Sequence, residues 1–233
     1  MPMQPTIATY LEVGSRRVFA GALEWPGWCR SGRGEEAALR ALLGYGPRYA
    51  ASVGAAARGF TTPTDASALE VVERLEGNAT TDFGAPAVPP SSDERPLDEA
   101  ELERQALLLQ ACWAAFDAAA KPASAAVLRK GPRGGGRMLD AIVSHILESD
   151  RAYLVRLGGR HQKTPGADVI AEMAGLRAMI VDVLWSRARG EPPAPTPGSR
   201  SRIVWTPRYF VRRSAWHALD HAWEIEDRAT VPL

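Results

Sequence analysis

Residues 207–228 read PRYFVRRSAWHALDHAWEIEDR. Thr206 in front of them suits a helix N-cap, and Pro207 falls in the first turn, where its missing N–H costs nothing. A helix over about 207–228 is therefore expected, and it places His217 and His221 one turn apart on one face, with Cβ atoms roughly 5–6 Å apart. Three earlier segments have the same character. Residues 98–120 carry Leu102, Ala106, Leu109, Trp113 and Phe116 at helical spacing, with Lys121-Pro122 as the expected stop. Residues 137–157 carry Met138, Leu139, Ile142, Ile146, Tyr153 and Leu157 and end at Gly158-Gly159. Residues 168–189 carry Ile170, Met173, Leu176, Ile180, Leu184 and Trp185. Four helices of nearly equal length, each with one apolar stripe, predict a four-helix bundle with its own core over 98–233. GPRGGG at 131–136 and the proline-rich 191–198 read as connections.

In front of the bundle, GAPAVPPSSDERPLD (84–98) contains four prolines. They bar a continuous helix or central strand, so 84–97 reads as a linker. Residues 1–83 mix strand and helix signals, and the class expected for the whole chain is α+β. Thr6–Val13 and Val18–Leu23 read as two strands joined at Gly14-Ser15, after which Trp25-Pro26-Gly27-Trp28 breaks the pairing. Glu35–Leu43 is helical, with Glu35 and Glu36 suited to its start, and an Ala-rich helical stretch follows at 47–57. Leu69–Leu75 fits strand or helix. Strand is preferred because the run is short and bounded by Gly77-Asn78.

Composition narrows the function classes. The chain has 233 residues and a net charge of +1, which gives no global field toward nucleic acid or an anionic membrane. No run approaches the roughly 20 apolar residues of a membrane span. The two cysteines, Cys29 and Cys112, have neither metal nor redox spacing, which fits a reducing cytoplasm. There is no Walker loop, GxGxxG, GxSxG or CxxC, which leaves nucleotide and serine-hydrolase chemistry without support.

An HxxxH pair alone is a weak metal signal. The apolar stripe of 137–157 strengthens it, because His145 lies in that stripe between Ile142 and Ile146 and must face the bundle interior. A lone histidine there is more often a hydrogen-bonded core residue than a ligand. With an inward His217/His221 pair on another helix, however, three neutral nitrogen donors converge, and one shared cation satisfies all three. Glu148 and Glu224, each three residues after a histidine, are candidates for a general base or for holding a ligand's second ring nitrogen, and Asp220 for the latter. Solvated helix-face carboxylates are an equally good account of them. His161 reads as a surface loop residue. Trp113, Trp185, Trp216 and Trp223 read as core, and Arg212-Arg213 as an exposed basic pair that could also meet an anionic substrate.

SHILESDRAYLVRL and RRSAWHALDHAWEIEDR together resemble the DinB/YfiT-like superfamily, over about residues 96–228. The resemblance implies a four-helix bundle holding a divalent metal, zinc or nickel, on His145, His217 and His221. It also implies frequent homodimers. Some members are transferases or isomerases that use a low-molecular-weight thiol, so the activity implied is a thiol-dependent transferase or hydrolase acting on a small-molecule substrate. LEWPGWCRSGRGEEAALRALL, within the first 55 residues, resembles HicB-like domains through Pro26-Gly27, Gly32 and Glu35-Glu36-Ala37. That resemblance carries the alternative of a non-catalytic metal- or ligand-binding regulatory protein with a partner-binding N-terminal domain.

Overall fold

The structure is a computed structural model that describes residues 6–123, 128–129, 136–192 and 204–229. Most of GPRGGG and of the 191–198 loop lies outside the described residues. The chain is α+β, with a four-stranded sheet followed by helices. Strands β1 (Ile7–Val13), β2 (Val18–Ala22), β3 (Cys29–Gly32) and β4 (Leu69–Glu76) stand in the order β3-β2-β1-β4. The β1–β2 and β2–β3 pairs are antiparallel, and β4 joins β1 in parallel. The strand reading of 69–75 holds: burial alternates residue by residue, with Leu69, Val71, Glu73 and Leu75 on the more covered face.

Helices α1 (Glu35–Gly44) and α2 (Gly46–Val53) follow the sheet's first three strands, and the short α3 (Ala79–Phe83) follows β4. The long helices are α4 (Glu99–Ala123), α5 (Leu139–Leu157), α6 (Val169–Ala188) and α7 (Pro207–Arg228). Every pair of these four touches, and α4 with α7 touches most extensively. Thr206 caps α7 through the Tyr209 N–H, as its sequence predicts. Helix α4 runs through Lys121-Pro122 to Ala123 instead of stopping there. No described helix is long and apolar enough to cross a membrane.

Three expectations change. Trp25-Pro26-Gly27-Trp28 does not end the pairing, because Gly21 pairs with Cys29 beyond it. The segment is the corner of a second hairpin and a wedge into the bundle. Trp28 is fully buried, donates from Nε1 to the Leu42 carbonyl at 2.9 Å and stacks on Tyr49. Gly27 adopts φ +94°, and a Cβ there would meet Leu219 Cδ1 at 2.9 Å and Cys112 Sγ at 3.2 Å. Gly27→Ala should therefore add backbone strain to overpacking and destabilise by about 1–3 kcal/mol. A denaturant midpoint equal to wild type would contradict that wedge.

Secondly, 84–97 is not a loose tether. The buried Glu12 carboxylate accepts from the backbone N–H groups of Ala87 and Val88 and from Thr81 Oγ1. Glu73 accepts from the Ser91 N–H, and the segment forms a 3-10 turn at Ser91–Glu94. Prolines exclude regular pairing, but the remaining N–H groups still need acceptors, and carboxylates of the sheet provide them. Thirdly, the bundle does not keep a core to itself. One continuous buried cluster runs from Leu11, Trp28 and Leu42 to Leu109, Phe116, Phe210 and Leu219. The other sheet face sets Phe19 and Cys29 against Trp216. The change at 84–97 is one of element type, not of core.

Two details of the bundle also differ from the sequence reading. Met138 is 63% exposed, and Ile170 is 79% exposed, where it lines a cavity of about 670 Å³ between α4, α5 and α6. Asp150, on α5, is buried, and its Oδ2 has no partner among the described residues. Burial pushes its carboxyl up to about 7, with Arg177 opposing and Asp117 adding. The folded state then binds the proton more tightly than the unfolded chain, whose Asp titrates near pH 4. Stability should consequently fall as pH rises from about 4 to 7. Asp150→Asn should flatten that slope, read as melting temperatures across pH 4.5–8; an unchanged slope would count against a proton held there.

Candidate metal centre

Helix α5 presents His145 from the turn that buries Ile142 and Ile146, and α7 presents His217 and His221 between the buried Ser214, Ala218 and Ala222. His217 and His221 are 5% and 8% exposed, and His145 is half-buried. The three residues expected to converge do so. One nitrogen from each lies within 4.8 Å of the other two. The His145 and His217 Nε2 atoms are 3.1 Å apart, close to the roughly 3.3 Å that a tetrahedral ion with bonds of about 2.0–2.1 Å sets between two ligands. The rings meet edge to face, with centroids 4.8–5.1 Å apart.

The donor set suits a cation on physical grounds. The 3.1 Å contact can hold only one proton, and His217 Nδ1 is buried with no hydrogen-bond partner among the described residues. Burial drives the His217 pKa well below its ordinary value, with His221, Arg213, His145 and Arg137 pushing the same way. Burial, His221 and Arg137 likewise lower His145, against Glu224. Burial thus favours the neutral form of His145 and His217, which is the form that ligates. Among the described residues no cysteine or carboxylate joins the group of three.

Glu224 acts behind the triad. Its Oε2 lies 2.7 Å from His221 Nδ1, and its Oε1 accepts from Arg228 Nη1 at 2.5 Å. The His221 bond and Arg228 hold its carboxyl below the usual range, against burial. Arg228 in turn donates to the carbonyls of Arg129 and Arg137, which ties the relay to the start of α5. Glu224 therefore fixes His221 with its Nε2 toward the other two rings. Glu224→Gln keeps the shape but not the charge and should weaken metal binding about 10–100-fold, as measured by competition with a chromogenic chelator. Unchanged affinity would separate Glu224 from the site.

The other candidates sit elsewhere. Glu148 is 68% exposed and pairs with Arg151 at 2.5 Å. Asp220 turns to the sheet and pairs with Arg30 at 2.9 Å. His161 is not at the surface: it is 10% exposed, with Nδ1 3.5 Å from Glu172 Oε1, and Glu172 also binds Arg151 and the Thr164 N–H. Trp113, Trp216 and Trp223 are core, as expected, and Trp185 is half-buried. The basic pair divides. Arg212 is buried against Asp93 and two carbonyls, whereas Arg213 faces the aromatic surroundings of the triad. Tyr153 and Trp216 flank His217, with ring centroids 5.7 and 6.0 Å away, and Trp205 packs on Tyr153.

The Glu224–Arg228 relay had a sequence signal in its spacing, i+3 from His221 and then i+4. Tyr153 stood in the inward stripe of α5, whereas the part played by Trp205 had no sequence signal, because it depends on how α5 meets the segment entering α7. No family model, no curated protein and no solved structure matches this chain.

Proposed function

We propose that the chain is a metal-dependent enzyme of the DinB type, a thiol-dependent transferase or hydrolase acting on a small molecule. The observation that carries this reading is the convergence of three imidazoles with no fourth protein ligand among the described residues. A catalytic ion needs that open position, and a structural ion is closed by a fourth ligand. The bound divalent ion would supply Lewis acidity at the open position, undiminished because its three ligands carry no charge.

The protein's own residues do the rest. His145, His217 and His221 offer nitrogen lone pairs, and Glu224 keeps the His221 proton on Nδ1. Tyr153, Trp205 and Trp216 limit water around His217. Neither cysteine can act as the thiol. Cys29 and Cys112 are fully buried, and burial pushes the Cys29 thiol up to about 12 and raises that of Cys112 as well. Sulfur chemistry here therefore requires an exogenous low-molecular-weight thiol.

Glu224, already bonded to His221 and Arg228, positions a ligand and is a poor base; Glu148 pairs with Arg151 and does not join the group of three histidines. The N-terminal part, whose HicB-like resemblance stands as part of this proposal, buttresses α7. Cobalt substitution tests the reading. Addition of 2-mercaptoethanol to the cobalt-loaded protein should produce a sulfur-to-metal charge-transfer band in the near ultraviolet. A cobalt spectrum indifferent to thiol and to pH would mean a closed site and overturn the enzyme reading.

A further inference from the structure

Arg213 lies one helical turn before His217 on α7. Its guanidinium sits over the Trp216 ring, 4.5 Å from the centroid, and 5.2 Å from the centroid of Tyr153. Those are the two rings that flank His217. Nη1 is enclosed and makes no hydrogen bond to any described residue. Enclosed guanidinium nitrogens normally find an acceptor, because leaving one unpaired forfeits its hydration without replacement. Its neighbour Arg212 shows the satisfied case, with Asp93 and the Ala22 and Leu23 carbonyls taking its donors.

The charges around the triad are unbalanced in the same sense. Arg213 and Arg137 both act on His217, while the nearby carboxylate, Glu224, is already bonded to His221 and Arg228. A divalent ion on three neutral ligands would add to that excess. Among the described residues Glu224 is the carboxylate that acts on the triad, and it also pairs with Arg228, so an anionic ligand would balance the remaining charge.

We propose that Arg213 is the substrate-anchoring residue of this site, and that the substrate class is a small carboxylate. The Trp216 ring covers one face of the guanidinium and leaves its edge, whose donors lie in one plane and match the two oxygens of a carboxylate. Arg213 and His217 lie one turn apart on one face of α7, with Cβ atoms roughly 5–6 Å apart, so one small molecule can meet both. This rests on the metal-enzyme reading above, and the test distinguishes failure of one from failure of the other.

The probes are 3-mercaptopropionate and its neutral isostere 3-mercaptopropionamide, titrated into cobalt-loaded protein and followed by the charge-transfer band. Wild type should bind the carboxylate about 10-fold more tightly, a typical share for one charge-assisted contact. Arg213→Met should abolish that preference and leave the amide's affinity unchanged. Equal binding of the two probes by wild type, or a preference that survives in Arg213→Met, overturns the proposal. The second outcome would assign the preference to chelation by the metal itself. If no thiol produces a band, the metal-enzyme reading fails, and the metal-free protein still decides the anchor. The Arg213 Nε–H resonance, assigned by its loss in Arg213→Met, should shift with 3-mercaptopropionate and not with the amide; no shift overturns the anchor as well.

Discussion

Purified without an affinity tag, the wild-type protein is expected to carry about one equivalent of divalent metal per chain, and His217→Ala almost none. His217 is the most enclosed of the three histidines, and its Nε2 lies 3.1 Å from that of His145. Removing it leaves His145 and His221 on different helices with two bonds to offer, and a two-nitrogen site competes poorly with water for zinc or nickel. His145→Ala removes the only ligand from α5 and should lose metal comparably. The measurement is elemental analysis after dialysis against a weak chelator. Equal metal in wild type and both variants would remove the site, and with it the proposed function. Folding can be followed alongside by circular dichroism, because α7 is held by Phe210, Val211 and Leu219 irrespective of metal.

The second large effect concerns Arg212. Arg212 Nε and Nη2 bind the two Asp93 oxygens at 2.7 and 2.6 Å, Nη1 reaches the Ala22 carbonyl and Nη2 also the Leu23 carbonyl, both at 3.0 Å. The side chains are 8% and 1% exposed. One guanidinium thus joins α7, the end of β2 and the segment between sheet and bundle. Arg212→Ala leaves the Asp93 carboxylate buried and unpaired, which should cost about 3–5 kcal/mol. In a chain of this length that lowers the melting temperature by roughly 10 °C. Arg212→Lys should recover little, since a point cation cannot satisfy acceptors spread over that plane. Deleting residues 1–88 breaks the same joint and uncovers Trp216 and Leu219 as well, so the truncated protein should lose its cooperative melt. Near-wild-type melting of Arg212→Ala, or a cooperative isolated bundle, would show that the parts fold separately.

Much of the architecture is local and was legible. Apolar residues at helical spacing, Thr206-Pro207 at a helix start and Gly158-Gly159 at a helix end locate the four long helices to within a few residues, because period and capping are properties of a few consecutive positions. The convergence of the three histidines was legible for the same reason: an inward stripe specifies its own face. The short α3 and β3 were missed. Five-residue and four-residue elements carry too little pattern, and β3 exists because β2 is there to pair with it.

What the sequence determined by itself is therefore the set of elements and which face of each turns inward. The tertiary structure alone decided how those faces meet. It placed Glu224 behind His221 and Glu148 in solvent, although each stands three residues after a histidine. It buried Arg212 against a carboxylate and left Nη1 of its neighbour Arg213 without a hydrogen bond among the described residues, beside the three histidines. It also merged the two expected cores into one. Spacing along one helix specifies a direction in space, but not what lies there. That depends on residues more than a hundred positions away, as Asp93 is from Arg212, and no local pattern records the partner of a side chain that crosses from one element to another.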